Sequence, residues 1–338
     1  MEPRIFEIKC QEALSAPDFN AVLTKMNVSP KAMRLYTRAS ELLEKIKNHT
    51  PDFIRKIVNK APASTHNMTW YEWGDSNSKD VIVCVHGMTR NGRDFDFLAQ
   101  ALAERGCRVI CPDIAGRGKS EWLSNPVLYG YPLYVRDIIS LLHHLNLSKV
   151  KWVGTSMGGL IGMMIAASMP NLITKMVLND IGPFIPKESL ERIGSYVGKN
   201  NSFPNKEQAE EYLKTIMSSF GLKEVSHWEH VMEHTFVRGA GGSYVFAYDP
   251  AIGHAFWNNR GKQRKLQDVD LWPMWKTIHC PIMILRGADS DLLTKEIAEK
   301  MKEAKNVEDL VEIPKVGHAP MLMDYDQIEV VRNWLLKK

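Results

Sequence analysis

Short apolar runs alternate with longer amphipathic stretches along most of the chain, and this alternation predicts strands that are each followed by a helix. Residues 81–85 and 281–285 are continuous apolar runs that end at turn residues, as buried strands do. A similar run over 150–153 precedes a tight glycine-containing turn and a helical stretch over 159–167. Strand–helix alternation is typical of a mostly parallel sheet flanked by helices, so we predict an α/β fold.

The alternation is confined to residues 66–184 and 271–338, which we expect to form one α/β core. Between them, residues 185–270 carry helical signals, a Gly-rich stretch and several aromatics, so this insertion is predicted to be a lid or cap. Residues 1–65 are predicted to be a mostly helical extension. Apolar positions over 30–46 recur at helical spacing and predict a packing or partner helix, with a membrane-surface helix as the alternative.

The composition favours a globular protein with a large core over a nucleic-acid-binding, disulfide-rich or membrane-spanning protein. The 338 residues are 44% apolar, which suits a large core, and the formal charge of +4 comes from scattered bases that form no nucleic-acid patch. The five cysteines lack metal-ligand spacing, and most lie in or beside strand signals, so free buried thiols are expected. The N-terminus has no apolar leader, and no run approaches the about 18 residues of a transmembrane segment. A cytoplasmic location is therefore expected.

A G-x-S-x-G motif at residues 154–158 is the strongest chemical signal in the sequence. It lies between a strand signal and a helix signal, which is the context of a nucleophile elbow. Gly154 and Gly158 leave room for the strained turn that such a serine needs. Ser156 is therefore the predicted nucleophile, placed at the positive end of a helix.

A nucleophilic serine needs a base, and the base needs an acid that orients it. Among eleven histidines, His318 lies in a turn after the last predicted strand and downstream of candidate acids. Asp289 and Asp291 both follow the strand at 281–285. We prefer Asp291 because it precedes two leucines that could draw it inward, and Asp289 remains the alternative.

Two backbone amides are expected to form an oxyanion hole. One is the amide of Met157, which follows the nucleophile. The other is the amide of Met88, because the turn His86-Gly87-Met88 follows the strand at 81–85. His86 is expected to pack and form hydrogen bonds beneath this loop.

In this order, the motifs resemble those of the α/β-hydrolase family. The matching pieces are residues 85–88, 111–120, 154–159, Asp291 and 317–318. Within the family the chain resembles small bacterial-type esterases and carbon–carbon bond hydrolases. Its general sequence character is also similar to that of a branch of bacterial esterases that act on hydroxyalkanoate oligomers. Dehalogenases and epoxide hydrolases of the family carry an acid at the nucleophile position, so Ser156 argues against both.

Two features of the predicted lid each allow a functional and a purely structural interpretation. The aromatic residues Tyr248, Phe256 and Trp257 could line an acyl pocket, or they could form the lid's own small core. The lid also contains an H-x-x-E-H string from His230 to His234, which is the pattern of an inverted zinc protease. Because the neighbouring sequence offers no obvious third ligand, we expect a solvated helical face and no metal or other cofactor.

Arg90 follows the predicted oxyanion loop and has two possible roles. A guanidinium at a pocket mouth could bind the carboxylate of a substrate through two parallel hydrogen bonds. Alternatively, Arg90 and Arg93 pair with Asp94 or Asp96 and brace the loop.

The sequence therefore predicts a serine hydrolase of a carboxylic ester or related acyl bond that acts on a small-molecule acyl substrate, with carboxylate-bearing substrates included. Carbon–carbon bond hydrolysis and thioester or lactone hydrolysis are alternatives within the same machinery. A binding protein with a hydrolase fold is the alternative outside enzymes, but it would usually lack a triad member, and none is missing. The sequence does not indicate an oligomeric state.

Overall fold

The computed structural model describes residues 2–11, 65–199, 202–257 and 261–337. The helix predicted over 30–46 lies outside the described residues.

The described strands and helices follow one another along the chain in an order that alternates through the core. The strands are β1 (Arg4–Gln11), β2 (Thr65–Trp73), β3 (Val81–Val85), β4 (Arg108–Pro112), β5 (Val150–Thr155), β6 (Ile173–Asn179), β7 (Phe184–Ile185), β8 (Ser202–Phe203), β9 (Phe236–Arg238), β10 (Tyr244–Phe246), β11 (Val269–Asp270), β12 (Ile282–Gly287) and β13 (Val307–Ile313). The α-helices are α1 (Asp96–Ala103), α2 (Tyr131–His144), α3 (Met157–Ser168), α4 (Lys187–Gly194), α5 (Lys206–Ile216), α6 (Val225–Thr235), α7 (Trp272–Trp275), α8 (Lys295–Lys302) and α9 (Tyr325–Leu336).

Within the described residues, eight strands form one sheet in the order β1-β2-β4-β3-β5-β6-β12-β13. The neighbouring pairs from β4 to β13 are parallel, whereas β1 and β2 are antiparallel additions at one edge. The carboxyl ends of parallel strands lie at the same edge of a sheet, and ligand sites of open α/β sheets form there. The turns that follow β3, β5, β6 and β12 therefore meet, and the expected mostly parallel α/β fold is confirmed.

Helices cover both faces of this sheet over two separate apolar layers. On one face, α1 and α9 contact each other over a layer that contains Phe95, Leu98 and Trp334. On the other face, α2, α3 and α7 pack over a layer that contains Ile138 and Trp152. Burial of each such side chain stabilises the fold by about 1.5–3 kcal/mol. The strand ends that carry the chemistry are thus fixed on both sides.

The N-terminal residues correct one expectation. Residues 4–11 form β1, which pairs with β2 from Arg4–Glu72 to Gln11–Thr65, so the prediction of a mostly helical extension is wrong there. The period of two along Phe6, Ile8 and Cys10 was the available signal. Cys10 on this face is buried, at 2% exposure.

The residues between β6 and β12 form a second layer of structure above the strand ends. The strands β7 and β11 pair antiparallel at the two ends of this segment. Beyond them lie α4, α5, α6 and a three-stranded sheet in the order β8-β10-β9. Among the described helices, none combines the length and the apolar character needed to cross a lipid bilayer.

Candidate active site

Ser156 occupies the turn between β5 and α3 in a strained backbone conformation. Its φ of 50° and ψ of −114° lie where a residue with a β-carbon is rarely found. The backbone amide of Ser156 donates to the carbonyl of Asn179 at 3.0 Å, which ties the turn to the end of β6. The strand, strained turn and helix predicted from the motif are thus present.

The motif glycines allow this turn because a side chain at either position would collide with backbone. A Cβ atom on Gly158 would lie 2.0 Å from the carbonyl oxygen of Val85. A Cβ atom on Gly154 would lie 2.5 Å from the backbone of Gly158. The helix α3 can therefore start directly against β3 and bring Ser156 to the strand ends.

His318 is the histidine that contacts the serine. It lies in the loop between β13 and α9, and its Nε2 atom is 2.9 Å from Ser156 Oγ, although 162 residues separate the two in sequence. The loop is fixed by the Gly317 amide, which donates to the Ser219 carbonyl at 2.6 Å. At this distance the imidazole can accept the serine proton, which is the geometry of a general base.

Asp180 is the carboxylate that orients His318. Its Oδ2 atom lies 2.7 Å from His318 Nδ1 and 2.5 Å from Ser290 Oγ, while its Oδ1 atom accepts from the Gly287 amide at 2.8 Å. The residue is fully buried. A carboxylate at Nδ1 favours the tautomer in which Nδ1 carries the proton, and this leaves the Nε2 lone pair facing the serine.

The prediction that Asp291 orients His318 is wrong. Its side chain is 50% exposed and forms two hydrogen bonds with Arg192 on α4, at 2.5 and 2.8 Å. The alternative, Asp289, is exposed. The physical reason is the strand order: β6 lies between β5 and β12, so the residue after β6 is nearer to the nucleophile. The turn after β12 contributes hydrogen-bond donors to Asp180 in place of the acid.

Asp180 carried a sequence signal of its own. It directly follows Asn179, the last residue of β6, and precedes the helix-breaking residues Gly182 and Pro183, so it marks the end of a strand as clearly as Asp291 does. Its neighbour Asn179 joins the surrounding segments, because its side-chain amide donates to Thr155 Oγ1 at 2.9 Å and to the Pro320 carbonyl at 2.8 Å. One pair of residues thus links the serine strand to the histidine loop.

The loop after β3 lies against the serine, as predicted. A Cβ atom on Gly87 would lie 3.8 Å from Ser156 Cβ. Met157 is the first residue of α3, where a backbone amide has no acceptor within the helix. The loop with Met88 and the start of α3 with Met157 therefore flank Ser156, and the use of their amides as an oxyanion hole stays a prediction.

His86 supports this loop from below. Its Nε2 atom accepts from the Ile114 amide at 3.0 Å, so its Nδ1 atom carries the proton and donates to the Gly87 carbonyl at 2.7 Å. Burial lowers the pKa of His86 to about 4, and it therefore stays neutral at physiological pH. This is the structural role expected for it.

Arg117 is a contributor that the sequence analysis missed. It is fully buried, and its Nε atom donates to the Met88 carbonyl at 2.8 Å while Nη2 lies 3.7 Å from Met157 Sδ. Its guanidinium carbon lies 4.8 Å from the ring centre of Tyr134, a favourable position for a cation over an aromatic face. One side chain thus holds both residues whose amides were assigned to the oxyanion hole.

Arg90 braces the loop and does not present a free guanidinium. It donates to both carboxylate oxygens of Asp94, at 2.5 and 2.9 Å, and to Thr235 Oγ1 at 2.6 Å. The side chain is 10% exposed. Arg93 pairs with only one carboxylate oxygen of Asp96, Oδ2, at 2.6 Å. The structure supports the bracing alternative, and these contacts leave no free guanidinium for the other alternative, binding of a substrate carboxylate by Arg90.

We therefore expect Arg90→Lys to destabilise the fold without changing substrate preference. A lysine cannot reproduce the paired hydrogen bonds to Asp94, and losing hydrogen bonds to a charged group costs about 1.5–3 kcal/mol. Thermal unfolding should show a lower Tm, and kcat/KM should change equally for neutral and carboxylate-bearing esters. Arg136→Lys, at a partly exposed position on α2 without a carboxylate partner in the described structure, is the control and should melt close to the wild type. A KM increase confined to carboxylate-bearing substrates would restore the binding role.

The three lid aromatics lie mainly in the lid's own core. Tyr248 and Phe256 are buried at 4% exposure in one cluster with Val197. The indole of Trp257 donates to the Val197 carbonyl at 3.0 Å. Met88 packs against the same cluster, so this small core reaches the oxyanion loop. The contacts fit the core alternative, and direct substrate contact by these rings stays a prediction.

Lid segments are tied to three loops around the serine. The Asn91 side chain donates to the His234 carbonyl at 2.7 Å, beside the oxyanion loop. The Gly118 amide donates to the Ala247 carbonyl at 2.8 Å. The hydrogen bond between Gly317 and Ser219 completes the set at the histidine loop. The lid is thus positioned to enclose the strand ends and limit the access of water.

These features define a hydrolase of the α/β class, with a strained serine, a histidine and a buried aspartate at the ends of parallel strands. Residues 80–325 match the model of the alpha/beta hydrolase fold family, and the chain belongs to that family. The expected family and enzyme class are therefore confirmed.

Individual relatives agree with this assignment. The chain is 42% identical over 274 residues to a 3-hydroxybutyrate-oligomer hydrolase from Cupriavidus necator, which covers 80% of this chain and 93% of the relative. The crystal structure of an alpha/beta hydrolase from Novosphingobium aromaticivorans is 34% identical, with a TM-score of 0.71, and covers 80% of this chain and 94% of that one. An esterase from Mycobacterium tuberculosis is similar in fold, at 21% identity and a TM-score of 0.60, over 82% of this chain and 90% of its own.

Proposed function

We propose that the protein hydrolyses esters of short hydroxyacid oligomers through a triad of Ser156, His318 and Asp180. The observation that carries this proposal is the continuous hydrogen-bond chain from Ser156 Oγ through the His318 ring to the buried Asp180 carboxylate. An isolated serine is a weak nucleophile, and this arrangement activates it.

In the first half of the reaction, Ser156 Oγ forms a bond to the ester carbonyl carbon while its proton moves to His318 Nε2. The amides of Met88 and Met157 stabilise the negative charge that develops on the carbonyl oxygen. The bond from carbon to the alcohol oxygen then breaks, and His318 returns the proton to the leaving alcohol. The acyl group remains on Ser156.

In the second half, His318 takes a proton from water as the water oxygen attacks the acyl carbon. The bond to Ser156 Oγ breaks, the proton returns to the serine, and the carboxylic acid leaves. Asp180 stabilises the charged imidazole in both halves without itself becoming protonated. Arg117 contributes by positioning the two oxyanion donors.

The proposed substrate class rests on the relative from Cupriavidus necator, whose name states that it acts on 3-hydroxybutyrate oligomers. The similarity extends over 93% of that protein, so it includes lid as well as core. Such oligomers end in a free carboxylate. We propose that a group other than Arg90 recognises this carboxylate, because the Arg90 guanidinium is held by Asp94 and Thr235.

A matched set of substrates tests this proposal. Wild-type protein should release 3-hydroxybutyrate from its linear trimer. The kcat/KM for the trimer should exceed the kcat/KM for the trimer methyl ester by about tenfold, which corresponds to about 1.4 kcal/mol of transition-state binding to the free carboxylate. Product is measured by chromatography, with p-nitrophenyl butyrate as the neutral control. Turnover of the control without release from the trimer would refute the substrate class. If the protein preferred thioesters, lactones or a carbon–carbon bond, the triad assignment would stand, but the proposed reaction would be wrong.

We also propose the cytoplasm as the site of action. The five cysteines are free and buried, as is usual for proteins of a reducing compartment.

A further inference from the structure

Two histidines of the lid and one aspartate of the core lie together beside the active-site loops. His230 and His234 are one turn apart on α6, with ring centres 4.5 Å apart. Asp96 is the first residue of α1. One candidate ligand atom from each of the three lies within 4.8 Å of the other two. The third ligand that the neighbouring sequence lacked is thus supplied by a distant segment.

The carboxylate of Asp96 has one oxygen that its neighbours leave unsatisfied. The side chain is 8% exposed. Its Oδ2 atom accepts from Arg93 Nε at 2.6 Å, whereas Oδ1 is buried and has no hydrogen-bond partner among the described residues. A buried polar atom without a partner costs free energy, and a bound cation would remove that cost.

We propose that Asp96, His230 and His234 bind a divalent transition metal ion of the zinc class. One carboxylate oxygen and two imidazole nitrogens form a zinc donor set, and histidines four residues apart on a helix present one face to the ion. Arg93 stays on the second oxygen of Asp96 and fixes its orientation. The Nε2 atom of His230 lies 2.8 Å from the Arg93 carbonyl oxygen, so His230 binds the ion either through Nδ1 or by giving up this contact. Because the Arg93 charge opposes the ion, binding should be weaker than at a structural site with four protein ligands.

The ion would join the lid to the core. Its ligands come from α1 on the sheet and α6 in the lid, close to the hydrogen bond between Asn91 and the His234 carbonyl. A ligand that binds the folded state raises its stability, so Zn²⁺ should raise the Tm and hold α6 in place. The proposal is independent of the substrate class and of the triad.

A second cluster, Cys10, His66 and Asp137, is a weaker candidate. All three residues are buried, and His66 Nε2 already lies 2.9 Å from Asp137 Oδ2. The cluster lies within the core between β1, β2 and α2, where an ion would have to displace the pairing of the carboxylate itself, and it has no unsatisfied carboxylate oxygen like Oδ1 of Asp96. In the experiment below, a variant of this cluster, His66→Gln, is compared with His234→Gln to show which cluster binds the ion.

The test measures metal binding by the full chain after treatment with a chelator. Titration with Zn²⁺ followed by calorimetry should show one site, and Co²⁺ should give visible absorption bands typical of low-symmetry coordination by nitrogen and oxygen. His234→Gln should weaken Zn²⁺ affinity by about 10- to 100-fold or more, since even the loss of a supporting contact costs that much. The control His143→Gln changes an exposed histidine of α2 and should bind like the wild type.

Three results would overturn the proposal. The wild type could show no saturable Zn²⁺ binding and no Co²⁺ bands. His234→Gln and Asp96→Asn could both keep wild-type affinity. Finally, His66→Gln could abolish binding while His234→Gln preserves it, which would assign the ion to the second cluster. Tm measurements without metal establish that each variant is folded, so none of these results depends on a misfolded protein.

Discussion

Replacing Asp180 with asparagine should lower kcat by about 10⁴-fold, the cost of the same change at the acid position of serine protease triads. The amide has the size of the carboxylate but can present its NH₂ group to His318 Nδ1, which favours the tautomer that cannot accept the serine proton. The Gly287 amide, which now donates to Oδ1 of Asp180, would hold the asparagine oxygen, while the Ser290 hydroxyl, which now donates to Oδ2, would turn to accept from the NH₂ group. Initial rates with p-nitrophenyl butyrate measure the effect.

Asp291→Asn is the matched control. It removes the partner of Arg192 at a site where both side chains are 43–50% exposed, and such surface pairs contribute about 0–1 kcal/mol to stability. Its activity should stay close to that of the wild type. If Asp291→Asn lost as much activity as Asp180→Asn, the assignment of the acid to β6 would be wrong.

Replacing Ser156 with alanine should lower kcat by about 10⁴–10⁶-fold while the protein still folds, because removal of the nucleophile leaves only the oxyanion hole and binding. The change removes one hydroxyl that is partly exposed, so the Tm should move little. Ser168→Ala, at the end of α3 away from the strand ends, is the control serine and should retain activity. Substantial turnover by Ser156→Ala would show that another group attacks the substrate.

The parts of this site that were predictable from sequence are those fixed by local structure. The elbow around Ser156 requires a strand, small residues and a helix in immediate succession, and all of these are visible within a short window. His86 and Gly87 follow from the same reasoning, because a glycine directly after a buried strand marks a sharp turn. His318 was identifiable because, of the eleven histidines in the sequence, it alone lies in a loop after the last strand.

Asp180 could not be chosen over Asp291 in this way, because the choice depends on which strands are neighbours. Both residues follow apolar strands, and only the order β5-β6-β12 places the former next to the nucleophile. A sequence read in one dimension gives strand ends but not their order across the sheet.

The environment of Arg90 was hidden for a related reason. One of its partners, Thr235, lies 145 residues away in the lid. Asp96 is likewise far in sequence from the lid histidines His230 and His234 that it lies beside in the structure. Contacts between an insertion and the core depend on the docking of two segments, which periodicity does not report. Strand β1 differs, because its alternation was visible and was outweighed by the helical signals that follow it.

The most direct test of the triad is to identify the residue that reacts with a fluorophosphonate, which phosphonylates activated serines. We expect one adduct per chain, mapped by peptide mass spectrometry to Ser156, and much slower labelling in His318→Ala and Asp180→Asn than in Asp291→Asn. An adduct at another residue, or labelling of Ser156 at the same rate in all three variants, would contradict activation of Ser156 by His318 and Asp180.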